Sequence, residues 1–223
     1  MKPAIAVTLL LLGLSACGGG GSSSNSPPPP PSLKSAQAPQ QPYTIQSTTL
    51  TATDASGNTY TAIFSQTPNS GTVMFNGQTA YSSALSITIL QNGATLATEA
   101  STAYYLESPY SPIGLSGSSN GTSWYFVFNS TTPYPTTLTV GDSGPIGSGT
   151  YYDATTNASI GSLTETYAVT ENDASTVLLN VYASGMLNGN QESETITYTV
   201  DASGNIALSS VQITVGGQTL TFT

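Results

Sequence analysis

Histidine is absent from this chain, and its 223 residues hold one cysteine and two cations, Lys2 and Lys34. Each shortage removes a class of chemistry. Without histidine there is no side chain whose ordinary pKa suits general-base work near neutrality. With no lysine or arginine after Lys34, phosphates cannot be neutralised, so no nucleic-acid partner is expected. Attraction to an anionic lipid surface is disfavoured on the same grounds. Residues 43–223 carry all 11 acids and no cation, so no salt bridge is expected within that stretch. Such an acidic excess favours solubility and repels other anions. Soft metals need His or free Cys and are not expected. Calcium needs only oxygen ligands, but Glu171 and Asp173 in "ENDAS" do not make a full ligand loop. The expectation there is a solvated turn, with no metal and no cofactor.

The lone cysteine closes the stretch "LSAC", directly after Lys2 and the apolar run Ala4–Leu14. That run is shorter than the roughly 20 residues a membrane-spanning helix requires. A basic start, a short apolar core and then small residues make the pattern of a secretory leader. Leu14-Ser15-Ala16-Cys17 resembles the lipobox of bacterial lipoproteins, in which the leader is cut before the cysteine and the sulfur receives lipid. The resemblance implies membrane attachment through lipid on Cys17. Gly18, where an aspartate would favour inner-membrane retention in enteric lipoproteins, implies the outer membrane of a Gram-negative envelope. One acyl chain holds only marginally, whereas two or three hold firmly.

This reading divides the chain into a leader (1–16), a lipidated cysteine with a Gly/Ser/Pro tether (17–42) and one folded domain (43–223). The tether "GGGGSSSNSPPPPP" and its continuation offer little to bury and read as disordered. With the only thiol committed to lipid, the domain must stand on its core, for which about 180 residues suffice.

From Tyr43 the apolar pattern has period two. "ALSITIL" places Leu85, Ile87 and Ile89 on one face, and "ETITYTV" does the same for Ile196, Tyr198 and Val200. Threonine, tyrosine and valine dominate, as strands prefer. The turn "DASGN" occurs at Asp54–Asn58 and again at Asp201–Asn205, with different apolar phase before each copy, so it is a reused turn and not a duplicated domain. A phase shift between Ile206 and Val215 predicts a bulge near Ser209-Ser210. The whole predicts an all-β fold, an antiparallel meander of about ten to twelve strands, with an up-and-down barrel favoured and a β-sandwich as the alternative. Three longer connections are expected, at 107–121, 129–136 and 142–148. A transmembrane barrel shares the alternation but needs a lipid-facing apolar band, which the Thr- and Ser-faced strands do not supply.

Candidate sites are few. "GDSG" (Gly141–Gly144) resembles the nucleophile motif of chymotrypsin-like proteases, but no base is available to the serine, and a turn is expected. Glu165, in "GSLTETYAVTE", shares a face with Leu163, Tyr167 and Val169; a carboxylate there has a raised pKa if it is buried unpaired. Tyr105 and Tyr110, beside the first long connection, are candidate exposed aromatics for a sugar or an amphipathic partner. "SWYFVF" is expected in the core. The functional expectation is a non-enzymatic binding, adhesive or structural module with a protein or glycan partner. A barrel binding a small apolar or sugar molecule is the alternative. A carboxylate-dependent glycan hydrolase using Glu165 is a further one, and it requires a second nearby acid.

Overall fold

A computed structural model describes residues 33–38, 45–106, 111–119, 121–133, 135–215 and 218–223. Their regular structure is entirely β. The strands are β1 (Ser35–Gln37), β2 (Ile45–Thr53), β3 (Thr59–Phe75), β4 (Gln78–Gln91), β5 (Ala94–Tyr105), β6 (Pro112–Ser119) and β7 (Thr122–Thr131). They continue with β8 (Thr137–Thr139), β9 (Ser143–Asp153), β10 (Ser159–Glu171), β11 (Thr176–Leu187), β12 (Asn190–Asp201), β13 (Ile206–Val215) and β14 (Gln218–Phe222). Apart from β1 and β8, they form one 12-stranded antiparallel sheet whose order follows the chain.

The two edges of this sheet meet. The Thr51 N–H donates to the Thr223 carbonyl at 3.0 Å, and the Thr223 N–H returns a bond to the Thr51 carbonyl at 2.9 Å. The meander is thus nearly closed into a barrel, the favoured of the two expected forms. Alternation then sends Phe64, Ile87, Leu115, Phe126, Leu179, Ile196, Tyr198 and Phe222 into one continuous core.

Strands β1 and β8 pair with each other (Ser35↔Thr139, Gln37↔Thr137) and lie across one end of the barrel. Backbone bonds from Leu33 to Asp173, from Gln37 to Ala202 and from Val140 to Lys34 tie them to each other and to the β10–β11 and β12–β13 turns. Ala36 and Leu138 are buried there. This corrects the boundary expected at residue 43, because residues 33–38 belong to the folded domain. The segment is low in complexity, but its alternation puts Ala36 and Ala38 against the core. Lys34 also donates to Glu171, so the domain does contain a salt bridge, between exposed groups at the capped end.

Two of the three expected long connections are largely strand. β6 falls within 107–121 and β9 covers most of 142–148. Both are rich in glycine and serine, the residues that ordinarily mark turns. Here the missing side chains make room for neighbouring rings. A Cβ on Gly117 would stand 2.7 Å from the Trp124 indole, and one on Gly147 would stand 2.8 Å from the Phe128 ring.

The turns and the bulge follow the sequence reading. In both copies of "DASGN" the Asp Oδ1 accepts from the N–H groups two and four residues on. Gly57 and Gly204 take φ of 84° and 83°, which glycine tolerates best. The β12–β13 register jumps between Thr197↔Ser210 and Tyr198↔Leu208, leaving Ser209 as the bulged residue.

Much of the outer wall is hydroxylic, with a few exposed apolar side chains such as Met74, Tyr182 and Met186. Thr164 and Thr166 on β10, Thr195, Thr197 and Thr199 on β12, and Thr88 and Thr98 on β4 and β5 lie on the face opposite the core residues. Among the described residues the acids are elsewhere. Asp54, Asp142, Asp153, Asp173 and Asp201 brace turns with their own carboxylates. Glu171 holds Lys34, and the remaining four glutamates face inward.

A carboxylate cluster inside the barrel

The inward glutamates come from three strands. Glu165 sits on β10, in phase with Leu163, Tyr167 and Val169 as expected, and its exposure is 0 %. Its cross-strand partner on β11 is Ala183, and the partner of Ala183 on β12 is Glu194. Glu165 and Glu194 therefore occupy one level of one inner wall, with a single strand between them, about 10 Å apart at the backbone. Glu194 is also buried, and Glu192, one pleat along the same face, is partly buried. Glu99 reaches in from β5 and is buried too.

Tyr151 on β9 links the group. It is buried, and its hydroxyl pKa is raised well above the ordinary value, first by burial and then by the charges of Glu165, Glu194, Glu99 and Glu192. Burial pushes Glu165 up to about 8. Burial, helped by the Glu192 carboxylate, pushes Glu99 up to about 8. Burial also raises Glu192, to about 7. The dominant cause is the same throughout: a carboxylate loses hydration in the interior and favours its neutral form. Lys34, the only cation among the described residues, stands at the capped end beside Glu171.

Hydrogen bonding inside is incomplete. Neither oxygen of Glu165 accepts a hydrogen bond, and Glu99 Oε1 accepts none. The indole N–H of Trp124 has no acceptor. Trp124 lies edge-on to Tyr151, ring centroids 5.8 Å apart, with its six-membered ring over Gly117 toward Ser101, the next inward residue to Glu99 on β5. The interior therefore offers buried carboxyl groups and the Trp124 N–H beside aromatic rings. Chemically these groups can both donate and accept hydrogen bonds. Among the described residues no His/Cys/Asp/Glu group is arranged to ligate a metal ion.

The other expected residues fall as follows. Tyr105 is not an exposed aromatic. Odd-numbered residues of β5 face the core, and Tyr105 is buried, with Gln66 Nε2 donating to its hydroxyl at 3.5 Å. The outward aromatic is its neighbour Tyr104, stacked on Phe75 at 4.0 Å. Tyr110 and Cys17 lie outside the described residues. Gly141–Gly144 begins at a turn in which the Asp142 carboxylate accepts from the Thr139 N–H. In "SWYFVF", Trp124 and Phe126 enter the core, while Tyr125 stacks on Tyr152 outside.

The sequence reading missed Glu99, Glu192 and Glu194. The signal was present. Glu194 opens the "ETITYTV" alternation in phase with Ile196, Tyr198 and Val200, and Glu99 is in phase with Ala103 and Tyr105. A shallow hollow of about 770 Å³ also lies on the outer wall, between small residues such as Ala84, Ser86, Ala100 and Ser116 and the Tyr125 ring. Nothing charged lines it.

The fold and the cluster define a class, a nearly closed up-and-down β-barrel with an acidic, aromatic-walled interior. Comparison with protein-family models, with curated proteins and with solved structures finds no significant match.

Proposed function

We propose that this protein is a lipid-anchored envelope protein whose barrel is a non-enzymatic binding module with its ligand site inside. The observation that carries the reading is the contrast between the two faces of the wall. Outside, alternating Thr and Ser residues are suited to water. Inside, Glu165 is fully buried with both oxygens unbonded, and Trp124 keeps an unbonded N–H. Unpaired buried polar groups are costly, and binding sites are among the places where proteins retain them. The lipobox residues Leu14–Cys17 support the anchor, and Gly18 supports an outer-membrane address.

A glycan hydrolase would need a sugar chain to reach Glu165, and a fully buried carboxylate in a nearly closed wall favours binding over hydrolysis. The test has two parts. Native mass spectrometry of the protein extracted from membranes is expected to find a co-purifying small molecule; a bare mass with no binder recovered from envelope extracts would refute an interior site. Cys17→Ala is expected to move the protein from the membrane to the soluble fraction, and its retention in the membrane would refute the anchor.

A further inference from the structure

The hollow on the outer wall has built sides. Two adjacent rows of outward residues cross five strands to make its floor. Ser65, Ser86, Ala100, Ser118 and Ser123 are successive cross-strand partners from β3 to β7. Thr67, Ala84, Thr102, Ser116 and Tyr125 form the next row, and all ten residues line the hollow. Four strand spacings make the floor about 19 Å long. The β3–β4 hairpin raises one long side. Its register breaks between Pro68 and Thr72, and beyond the break Phe75 stacks on the outward Tyr104. The Phe75 ring takes the space above Gly114, where a Cβ would stand 2.5 Å from it. At the break, the Asn69 side-chain amide donates to the buried Ser82 hydroxyl at 3.0 Å. Tyr125 closes one end of the floor. It stacks on Tyr152 of β9, ring centroids 5.0 Å apart, and donates its hydroxyl to Asn157 Oδ1. Tyr152 lies beyond the floor, so the Tyr125 ring presents its β6 side to the hollow.

The chemistry of this face narrows what it can hold. Between Asp54 and Asp142 the chain has two charged residues, Glu99 and Glu107. Glu99 faces inward, and Glu107 lies outside the described residues. No charged side chain lines the hollow, so nothing there holds an anion, an organic cation or a metal ion by charge. Each of the five strands beneath it is paired on both sides, so no edge is open to an added peptide strand. An acyl chain would cover serine and threonine hydroxyls without replacing their bonds to water. A sugar meets both parts of the surface. Its hydroxyls donate and accept, as those of Ser and Thr do, and the C–H face of its ring can rest on the Tyr125 ring. Tyr beside Ser is the combination antibody paratopes use, rigid aromatic contact with adaptable hydrogen bonding. The volume, about 770 Å³, lies within the range of small-molecule sites.

From this we infer that the outer face of β3–β7 is a binding site for a neutral glycan, its chain laid across the strands along the two rows and one sugar ring placed on Tyr125. The site is separate from the interior one and uses the opposite face of the wall. The bent hairpin gives it depth, and the Phe75–Tyr104 stack holds the hairpin in place. The Tyr104 hydroxyl and the Ser116 hydroxyl share a hydrogen bond of 2.9 Å, which ties that side to the floor. No carboxyl, imidazole or thiol lines the hollow, so affinity should be level between about pH 5 and about pH 8. An interior ligand beside Glu165 would not show that independence.

Ala84, Ala100 and Ala154 line the hollow, so their methyl groups report on it. The experiment titrates the full-length protein, carbon-13 labelled at alanine methyls, with cellohexaose, maltohexaose and chitohexaose as neutral probes and with a hyaluronan hexasaccharide as the anionic one. The expected result is saturable shifts at Ala84 and Ala100 with at least one neutral sugar and none with hyaluronan. Affinity should fall about tenfold or more in Tyr125→Ala, which removes the ring. Ala100→Phe, at an exposed position, fills the floor and should abolish the shifts at Ala84 while the melting temperature holds. No shift with any neutral sugar, an equal response to hyaluronan, or unchanged affinity in either folded variant would each overturn the glycan site. So would sugar-free shifts of the same methyls that grow with protein concentration, which would assign the face to a second copy of the chain. Shifts confined to the inward Ala183, the cross-strand neighbour of Glu165, would also overturn it while supporting the interior site.

Discussion

Gly149 lies beneath the ring of Phe126. A Cβ at this glycine would stand 2.3 Å from the Phe126 Cζ and 2.4 Å from the Val127 carbonyl oxygen. One of these atoms belongs to backbone, so the clash cannot be relieved by a rotamer change alone. Gly149→Ala is expected to destabilise the barrel by about 1–3 kcal/mol, the usual cost of overpacking. Urea unfolding followed by circular dichroism measures it, and an unchanged midpoint would mean that the ring does not occupy this position.

Stability should fall as pH rises through neutrality. Glu165 and Glu99 are raised from an ordinary 4.5 to about 8, so between those values the folded state keeps protons that the unfolded chain has released. Their contribution is complete below about 4.5, is lost progressively up to about 8 and changes no further above it. Each group can give a slope of up to about 1.4 kcal/mol per pH unit. The acid limb has the opposite sign. Asp173 is held at about 2, chiefly by the Ser175 N–H and hydroxyl, and what it contributes above its ordinary 3.8 is lost as pH falls toward 2. The maximum is thus expected near pH 4–5. Glu165→Gln should flatten the neutral limb and be the more stable protein at pH 8. A profile that climbs from pH 5 to pH 8 would contradict the burial of both carboxyls.

The cap formed by β1 and β8 should separate from the barrel in its stability. Leu138 is 0 % exposed, and Leu138→Ala is expected to cost about 2–5 kcal/mol at the cap. The two strands span three residues each, so the loss should appear as faster proteolysis around residues 33–38 while the barrel keeps its circular dichroism spectrum. Loss of the whole spectrum at the same midpoint would show that cap and barrel fold as one unit.

Closure of the sheet depends on its last strand. Ending the chain after residue 217 removes β14, with it the Thr51–Thr223 bond pair, and leaves β2 and β13 as open edges. Open edges pair with other chains, so this variant is expected to elute as oligomers or to aggregate. Phe222→Ala keeps the strand but removes a fully buried ring, with an expected cost of about 3–5 kcal/mol. A monomeric truncated barrel would show that closure contributes little.

How much was legible follows from how each feature is encoded. Strands such as "ALSITIL" and "TVLLNVYA" announce themselves because large apolar residues alternate with polar ones. β6 and β9 do not, because their inner positions include glycines filled by rings from β7. A glycine under a ring and a glycine in a turn are the same letter. The inward phase of Glu165 was readable from Leu163, Tyr167 and Val169, its local neighbours. Its relation to Glu194 was not, because that rests on a two-step register through Ala183.

Sequence alone determined the strand class, the turn chemistry of both "DASGN" copies, the bulge at Ser209 and the lack of any cation to pair acids within residues 43–223. These are local or compositional properties, set by alternation, by side chains reaching their own backbone and by counting. Only the tertiary structure decided that the edges meet at Thr51 and Thr223, that Ala36 belongs to a cap, and that Glu99, Glu165, Glu192 and Glu194 share one interior. Those facts depend on which distant strands lie side by side. Many residues together set that pairing through register and packing, and no single stretch of the chain records it.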